Sequence, residues 1–231
     1  MDVLYILGRG SKHDDMELRL SLRCLEKNAE GIDRIFIVGN CPDWVQNVTH
    51  IPAEDTWTAE NNSFQKILIA CRSDISDEFL LMNDDFFMLA PFNVETYPYY
   101  DRDKLTKRVE ENNPYNRSIN KTIDVLKLFG VFNPTNYDVH CPFRIQKNTF
   151  LLLESLAELF KEENTGVLCR SIYGNIFNIV DDYGGPVSDP KVYNDEWRPV
   201  QETRCLSTSD NCDNILKRVE EVCPLKSRWE K

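Results

Sequence analysis

Two adjacent carboxylates, Asp84 and Asp85, follow the apolar run Leu80-Leu81-Met82 after one intervening residue, Asn83. In an open α/β sheet, ligands bind beyond the carboxyl ends of the strands. Hard oxygen donors there suit Mg2+ or Mn2+, which bridge a protein carboxylate and a ligand's phosphates. A plain turn uses the same residue types, but the apolar run resumes at Phe86-Phe87-Met88-Leu89, which favours a functional pair. Gly8-Arg9-Gly10-Ser11 follows the first apolar run directly. Small residues let backbone N–H groups approach an anion, and Arg9 can pair with a phosphate. The segment is neither a Walker A motif nor a complete G-x-G-x-x-G. His140 is one of three histidines, and its ordinary pKa near about 6.5 suits proton transfer at neutral pH. The Cys141-Pro142 pair that follows predicts an extended presentation. A Cys141/His140 nucleophilic pair is disfavoured, because neighbours in an extended segment point to opposite sides. Arg170 opens an expected helix, where guanidinium and helix N-terminus together suit an anion. Asp210 and Asn211 either return an oxygen ligand to the site or cap the last helix.

These residues need a scaffold. Residues 3–7 read as a buried strand. Asp14 as N-cap with Glu17 predicts a helix carrying Leu18, Leu22 and Leu25. Residues 35–38 and 48–51 are further strands. Phe64, Ile67, Leu68 and Cys71 form a helical stripe, and residues 79–82 a strand running into Asn83. Strand and helix alternate, which predicts an α/β fold whose sheet is mostly parallel and flanked by helices. Residues 93–137 are a polar excursion, with a short charged helix over 104–111 and a helix bearing Ile119, Ile123 and Leu126. Later helices are marked by Leu152, Leu156, Leu159 and Phe160, by residues 171–180, and by Cys212, Ile215, Leu216, Val219 and Val222.

With 231 residues and 42% hydrophobic content, the chain reads as a single domain over 1–231 with a real core. A net charge of −11 argues against duplex nucleic acid, which needs clustered Lys and Arg. A pocket-scale basic region for a small phosphorylated ligand remains compatible with it. None of the eight cysteines forms a C-x-x-C pair, so zinc is disfavoured and reduced thiols are expected. No run approaches the ~18–20 apolar residues of a membrane span. No basic region precedes Val3, so the expected location is cytoplasmic.

In order, these segments resemble the Stealth family of sugar-1-phosphate transferases. Glu17-Leu18-Arg19-Leu20-Ser21-Leu22-Arg23-Cys24-Leu25-Glu26-Lys27-Asn28-Ala29 with Ile35-Phe36-Ile37-Val38 looks like its "ELRYSLRSIEKNAP…IFIV" block. Pro42-Asp43-Trp44 is similar to its P-x-W turn, and Asn62-Ser63 to its Asn/Ser-Ser pair before a helix. Leu81-Met82-Asn83-Asp84-Asp85-Phe86-Phe87 resembles "YLNDDVF". His140-Cys141-Pro142-Phe143, Arg170-Ser171, and Cys205-Leu206 with Asp210-Asn211 resemble the later blocks. The first block departs from the family: Gly10-Ser11 remains, but the family's Trp-Val pair is absent. The resemblance covers most of the chain except about 93–137.

The resemblance implies a GT-A-like nucleotide-diphosphosugar-binding sheet. It also implies transfer of a sugar 1-phosphate to an acceptor hydroxyl with release of a nucleoside monophosphate, as in polysaccharide biosynthesis. On that footing Asp84, Asp85 and Asp210 hold Mg2+ or Mn2+, and His140 takes the acceptor proton. Arg170 and Arg9, with Gly10 and Ser11 and helped by Arg19 or Arg23, screen the phosphates. Asn62, Ser63 and Asn83 position the donor. Two alternatives share the donor: a glycosyltransferase releasing the nucleoside diphosphate, and a non-catalytic nucleotide-sugar-binding protein.

Overall fold

Apolar runs without polar interruption make strands that are buried on both faces, and such strands need helices on either side. The computed structural model describes residues 1–9, 11–110, 112–161, 163–180, 182–209 and 212–231. Its first half comprises β1 (Asp2–Leu7), α1 (Met16–Asn28), β2 (Ala29–Glu30), β3 (Ile35–Gly39), β4 (Thr49–Ile51), α2 (Ala59–Cys71), β5 (Glu78–Met82), β6 (Phe86–Met88) and β7 (Phe92–Asn93). Then follow α3 (Pro114–Leu128), β8 (Phe143–Gln146), α4 (Lys147–Leu151), α5 (Glu154–Phe160), α6 (Cys169–Ile176), β9 (Lys191–Val192), β10 (Cys205–Thr208) and α7 (Asp213–Val222).

The central sheet has the order β4-β3-β1-β5-β8. Its first four strands are parallel, and β8 runs antiparallel to β5. The chain moves outward from β1 to β3 and β4, then crosses back to β5 on the other side of β1. The topological switch therefore lies between the carboxyl ends of β1 and β5, where this class of sheet opens a crevice. Side-chain alternation sorts the core into two layers. Leu4, Phe36, Val38, Phe79 and Leu81 pack with Phe64, Ile67 and Leu68 of α2. Val3, Tyr5, Ile35, Ile37, Leu80 and Met82 pack with Leu18, Leu22 and Leu25 of α1.

A small second sheet, β6-β10-β9, begins where the chain leaves β5. The Asn83-Asp84-Asp85 turn is thus the corner between two sheets. The corner is tied from below: Ser21 Oγ of α1 donates to the Phe86 carbonyl at 2.7 Å and meets the Tyr5 hydroxyl at 2.9 Å. One further apolar layer joins Leu20 and Cys24 of α1 to Ile215, Leu216 and Val219 of α7.

Several expectations are corrected. Asp14 does not cap α1: Asp14 and Asp15 are both left-handed, and the Ser11 hydroxyl instead accepts from the Asp15 and His13 amides. Residues 104–110 form no helix; Lys104 makes an isolated bridge to Thr135. The Leu152–Phe160 stripe is broken between α4 and α5, leaving Leu152 and Leu159 exposed, because Leu153, Ala157 and Phe160 supply the buried face. The helix expected over 171–180 is α6, which starts and ends earlier. All eight cysteines are free. Among the described residues, no helix is long and apolar enough to cross a membrane.

The C-terminal segment is locked by a buried carboxylate. Glu230 has no exposed side-chain surface. It receives Arg23 through Nε at 2.9 Å and Nη2 at 3.0 Å, and Arg19 through Nη1 at 3.0 Å. The Arg19 guanidinium also lies 4.1 Å from the Trp44 ring centre. Burial alone raises the Glu230 pKa, but the Arg23 bond, the Ser227 amide and Arg19 outweigh it, so the net direction is down. Removing the carboxylate leaves Arg19 without an ion-pair partner among the described residues and Arg23 with only the half-exposed Glu220. Glu230→Gln is expected to lose about 3 kcal/mol in urea unfolding at pH 7. A depressed folded-state pKa contributes stability above the unfolded value and loses it as pH falls. The gap between wild type and variant should therefore narrow below about pH 4.

Candidate active site

The turn after β5 closes with the Phe86 amide donating to the Asn83 carbonyl at 3.2 Å. The two carboxylates differ in surroundings. Asp85 Oδ2 accepts from Lys191 Nζ at 2.5 Å and Ser207 Oγ at 2.6 Å, tying the turn to β9 and β10. Burial would lower the Lys191 pKa, but Asp85 outweighs it, so the ammonium is held charged. No side chain among the described residues bonds Asp84. Its pKa is pushed up to about 7, first by burial, then by the neighbouring charges of Asp85 and Glu17.

His140 is not extended. The Cys141 amide donates back to the Val139 carbonyl at 2.8 Å, which makes His140 the centre of a three-residue turn. Asp189 fixes the ring: its carboxylate lies 3.0 Å from Nδ1 and also accepts the His140 amide at 3.1 Å. Arg102 Nη1 donates to the other Asp189 oxygen at 2.7 Å. Burial pushes the Asp189 pKa up, but His140 and Arg102 outweigh it and the net direction is down. An ionised carboxylate on Nδ1 selects the tautomer with the proton there, which leaves a lone pair on Nε2.

Arg170 joins the two halves of the site. It is 7% exposed. Nη1 donates to the carbonyls on both sides of His140, Val139 at 2.7 Å and Cys141 at 3.2 Å. Nη2 donates to Asn83 Oδ1 at 3.2 Å, one residue before Asp84. The imidazole turn and the aspartate turn thus share one guanidinium, although 55 positions separate Asp85 from His140 in the chain. Among the described residues, no carboxylate pairs with Arg170; its partners are neutral oxygens and the Phe86 ring, 5.3 Å away. A buried cation held only by neutral oxygens can still attract an anion, and the cleft it faces also carries the carboxylates of Glu60 and Asp138.

That space is a cleft of about 260 Å³, lined among others by Ser63 of α2, Asn83, Tyr115 of α3, Asp138, His140 and Arg170. Tyr115 donates to Asp138 at 2.7 Å across its wall. Four residues expected at the site therefore line one cleft: Ser63, Asn83, His140 and Arg170; Asp84 and Asp85 continue the turn from Asn83 and are not among the residues that line it. The others lie elsewhere. Asn62 is turned inward and holds the loop before α2 through the Thr56 and Trp57 amides. Arg9 is exposed and pairs with Glu54 at 3.1 Å. Ser11 donates to Glu17 at 2.9 Å and organises the start of α1. Arg19 and Arg23 are taken by Glu230, so the shared helix face serves the C-terminal lock. Gly10 and Asp210 lie outside the described residues.

Sequence reasoning missed Asp189, Lys191 and Ser207. Asp189-Pro190-Lys191 reads as an ordinary turn, and no local pattern marks a carboxylate that will meet a histidine 49 residues earlier. Gly8 has a clear role: a Cβ there would come within 3.2 Å of Asp55, whose carboxylate pairs with buried Lys66 at 2.5 Å beside the end of β1.

No family profile and no curated protein sequence matches the chain. Among solved structures, the fold is similar to that of the galactosyltransferase LgtC in complex with donor and acceptor sugar analogues. The TM-score is 0.55 over 97% of this chain and 95% of that one, at 9% identity. The likeness places the architecture, a mostly parallel sheet flanked by helices, in the GT-A class.

Asp84 supplies a stability test independent of any activity. A carboxyl whose folded-state pKa is raised penalises the fold as pH climbs from the unfolded value, about 3.9, towards 7. Asp84→Asn removes that penalty. The variant is expected to melt above wild type at pH 8, by a margin on the order of 1 kcal/mol or more, and to match it at pH 4. Equal melting temperatures at both pH values would contradict the raised pKa.

Proposed function

We propose that the chain transfers a sugar 1-phosphate from a nucleotide-diphosphosugar to an acceptor hydroxyl and releases a nucleoside monophosphate. One observation carries this reading: Arg170 bonds both the turn of the Asp189-oriented His140 and Asn83, these three residues line one cleft, and Asp84 and Asp85 follow Asn83 directly in the chain. The segments so joined are those that resemble the Stealth blocks.

The carboxylates fit a hard divalent cation. Asp84 has no side-chain partner among the described residues, and Asp85 engages Lys191 and Ser207 through Oδ2 alone. Among the described residues, no cluster of three or more ligating side chains is present. Two carboxylates completed by water and ligand phosphates are an ordinary Mg2+ arrangement. When bound, Mg2+ or Mn2+ would neutralise the donor diphosphate and the charge developing on the leaving group.

The protein's own groups do the rest. Lys191 and Arg170 add fixed positive charge around the diphosphate. Asn83, anchored by Arg170, offers its amide to the donor, and Ser63 stands on the opposite wall. His140 Nε2 takes the proton of the acceptor hydroxyl. The acceptor oxygen forms a bond to the sugar-bearing phosphorus. The bond from that phosphorus to the bridging oxygen breaks, and its electron pair leaves with the nucleoside monophosphate. Asp189 stabilises the imidazolium that results, while Arg102 keeps Asp189 ionised.

A second reading is favoured by the likeness to a galactosyltransferase. There the same base and donor serve attack at the sugar carbon, and a nucleoside diphosphate leaves.

The deciding experiment incubates the protein with a panel of nucleotide sugars and Mg2+ or Mn2+, then separates the nucleotide products. A monophosphate is expected; a diphosphate would replace the proposal with sugar transfer, and donor binding without turnover would make the chain a binding protein. His140→Ala is expected to slow the chemical step by ~10²–10⁴-fold. Asp189→Asn should lower kcat, because the imidazole loses the carboxylate that fixes its orientation and tautomer. Mg2+ should raise the Tm of wild type and leave that of Asp84→Asn unchanged.

A further inference from the structure

A second groove, of about 390 Å³, lies behind Tyr115. It is lined by Arg102, Arg108, Tyr115, Asn116, Asn136 and Tyr193, with Val109, Glu110 and Ile119 completing the walls. Every one of these except Tyr193 comes from residues 93–137, the excursion outside the family resemblance. Two contacts and one chain continuity connect the groove to the candidate active site. Tyr115 lines both hollows. Arg102 donates to Asp189, which holds His140. Tyr193 follows β9, whose Lys191 holds Asp85.

The chemistry of the groove is unlike that of the chain as a whole. It presents two guanidinium groups against one carboxylate, Glu110, on a protein of net charge −11. Arg108 is exposed and has no ion pair among the described residues. Arg102 commits only Nη1 to Asp189 and is one-third exposed, so its other N–H groups remain available. Tyr193 is 69% exposed, a large ring left in solvent beside these cations. Aromatic rings take the apolar face of a sugar, while a guanidinium fork matches a phosphate or a carboxylate.

We propose that this groove is the acceptor subsite and that the acceptor is an anionic saccharide. Its phosphate or carboxylate pairs with Arg108 and the free edge of Arg102. Its ring packs on Tyr193, and its reacting hydroxyl passes Tyr115 to reach His140. The proposal rests on the transferase reading and deepens it. The donor side of the cleft comes from the common sheet, and the excursion selects the acceptor. An anion on Arg102 also sits one bond from Asp189, so acceptor binding is coupled to the group that orients the base.

The test titrates the full chain separately with glucose 6-phosphate, glucuronate and glucose, followed by calorimetry or NMR. At least one anionic sugar is expected to bind about ten-fold more tightly than glucose, the size of one charge-assisted contact. The tighter of the two identifies the anion as phosphate or carboxylate. Arg108→Gln is expected to erase the preference, and Arg108→Lys to keep part of it. Tyr193→Ala should weaken all three sugars alike. Equal binding of the three sugars to wild type overturns the proposal. So does a preference that survives in Arg108→Gln protein with wild-type melting temperature. A parallel titration of wild type with nucleotide sugars separates the two readings. Absent donor binding with the anion preference intact overturns the transferase reading, and with it the acceptor role, while the groove stands as an anionic-saccharide site. Turnover onto neutral sugars, indifferent to Arg108→Gln, overturns the acceptor proposal alone.

Discussion

One buried guanidinium organises the functional end of this protein. Arg170 is almost fully enclosed, cannot shed its charge, and has no carboxylate beside it among the described residues. Burying such a group is costly unless its donors are satisfied. Two carbonyls and one amide oxygen satisfy it, and each belongs to a segment that carries chemistry. The same bonds that solve the solvation problem of Arg170 fix the His140 turn against the Asn83-Asp84-Asp85 turn. The charge itself is left uncancelled, which suits an anionic ligand.

Around that group, opposite charges are placed in linked pairs. Asp85 has Lys191, and Asp189 has both Arg102 and His140. Asp84 lacks a side-chain partner among the described residues, and burial together with the charges of Asp85 and Glu17 raises its pKa. The arrangement separates two tasks. Asp85 and Asp189 are held in place by cations, whereas Asp84 and the Nε2 edge of His140 have no side-chain partner among the described residues.

Much of the fold was legible because its signals are local. β1, β3 and β5 announce themselves as uninterrupted apolar runs, and α2 as a stripe at helical spacing. The strand–helix alternation predicts a parallel sheet, and a switch point follows from any such sheet that is wound in both directions. Failures occurred where no periodicity exists to read. In the charged stretch over 104–110, Leu105 packs against Ile119 and Ile123 while Val109 is left in solvent, so no continuous apolar stripe holds it in a helix. Leu152 and Leu159 look like core residues, yet the chain breaks between α4 and α5 and different side chains are buried. The left-handed Asp14 and Asp15 leave α1 without a side-chain cap, and Ser11 orders the turn before it instead.

For the site, local sequence determined which residues are unusual: carboxylates at a strand end, a histidine before Cys-Pro, and an arginine opening a helix. Tertiary structure alone decided their partners. Arg19 and Arg23 look the part of phosphate ligands until Glu230, some two hundred residues away, occupies both. Asp189 looks like a turn residue until His140 is placed beside it. The physical reason is range: periodicity and turn chemistry act over a few residues and leave a trace in the string. Ion pairs and hydrogen bonds act over about 3 Å between segments brought together by the whole core, and a pairing of that kind leaves no local trace.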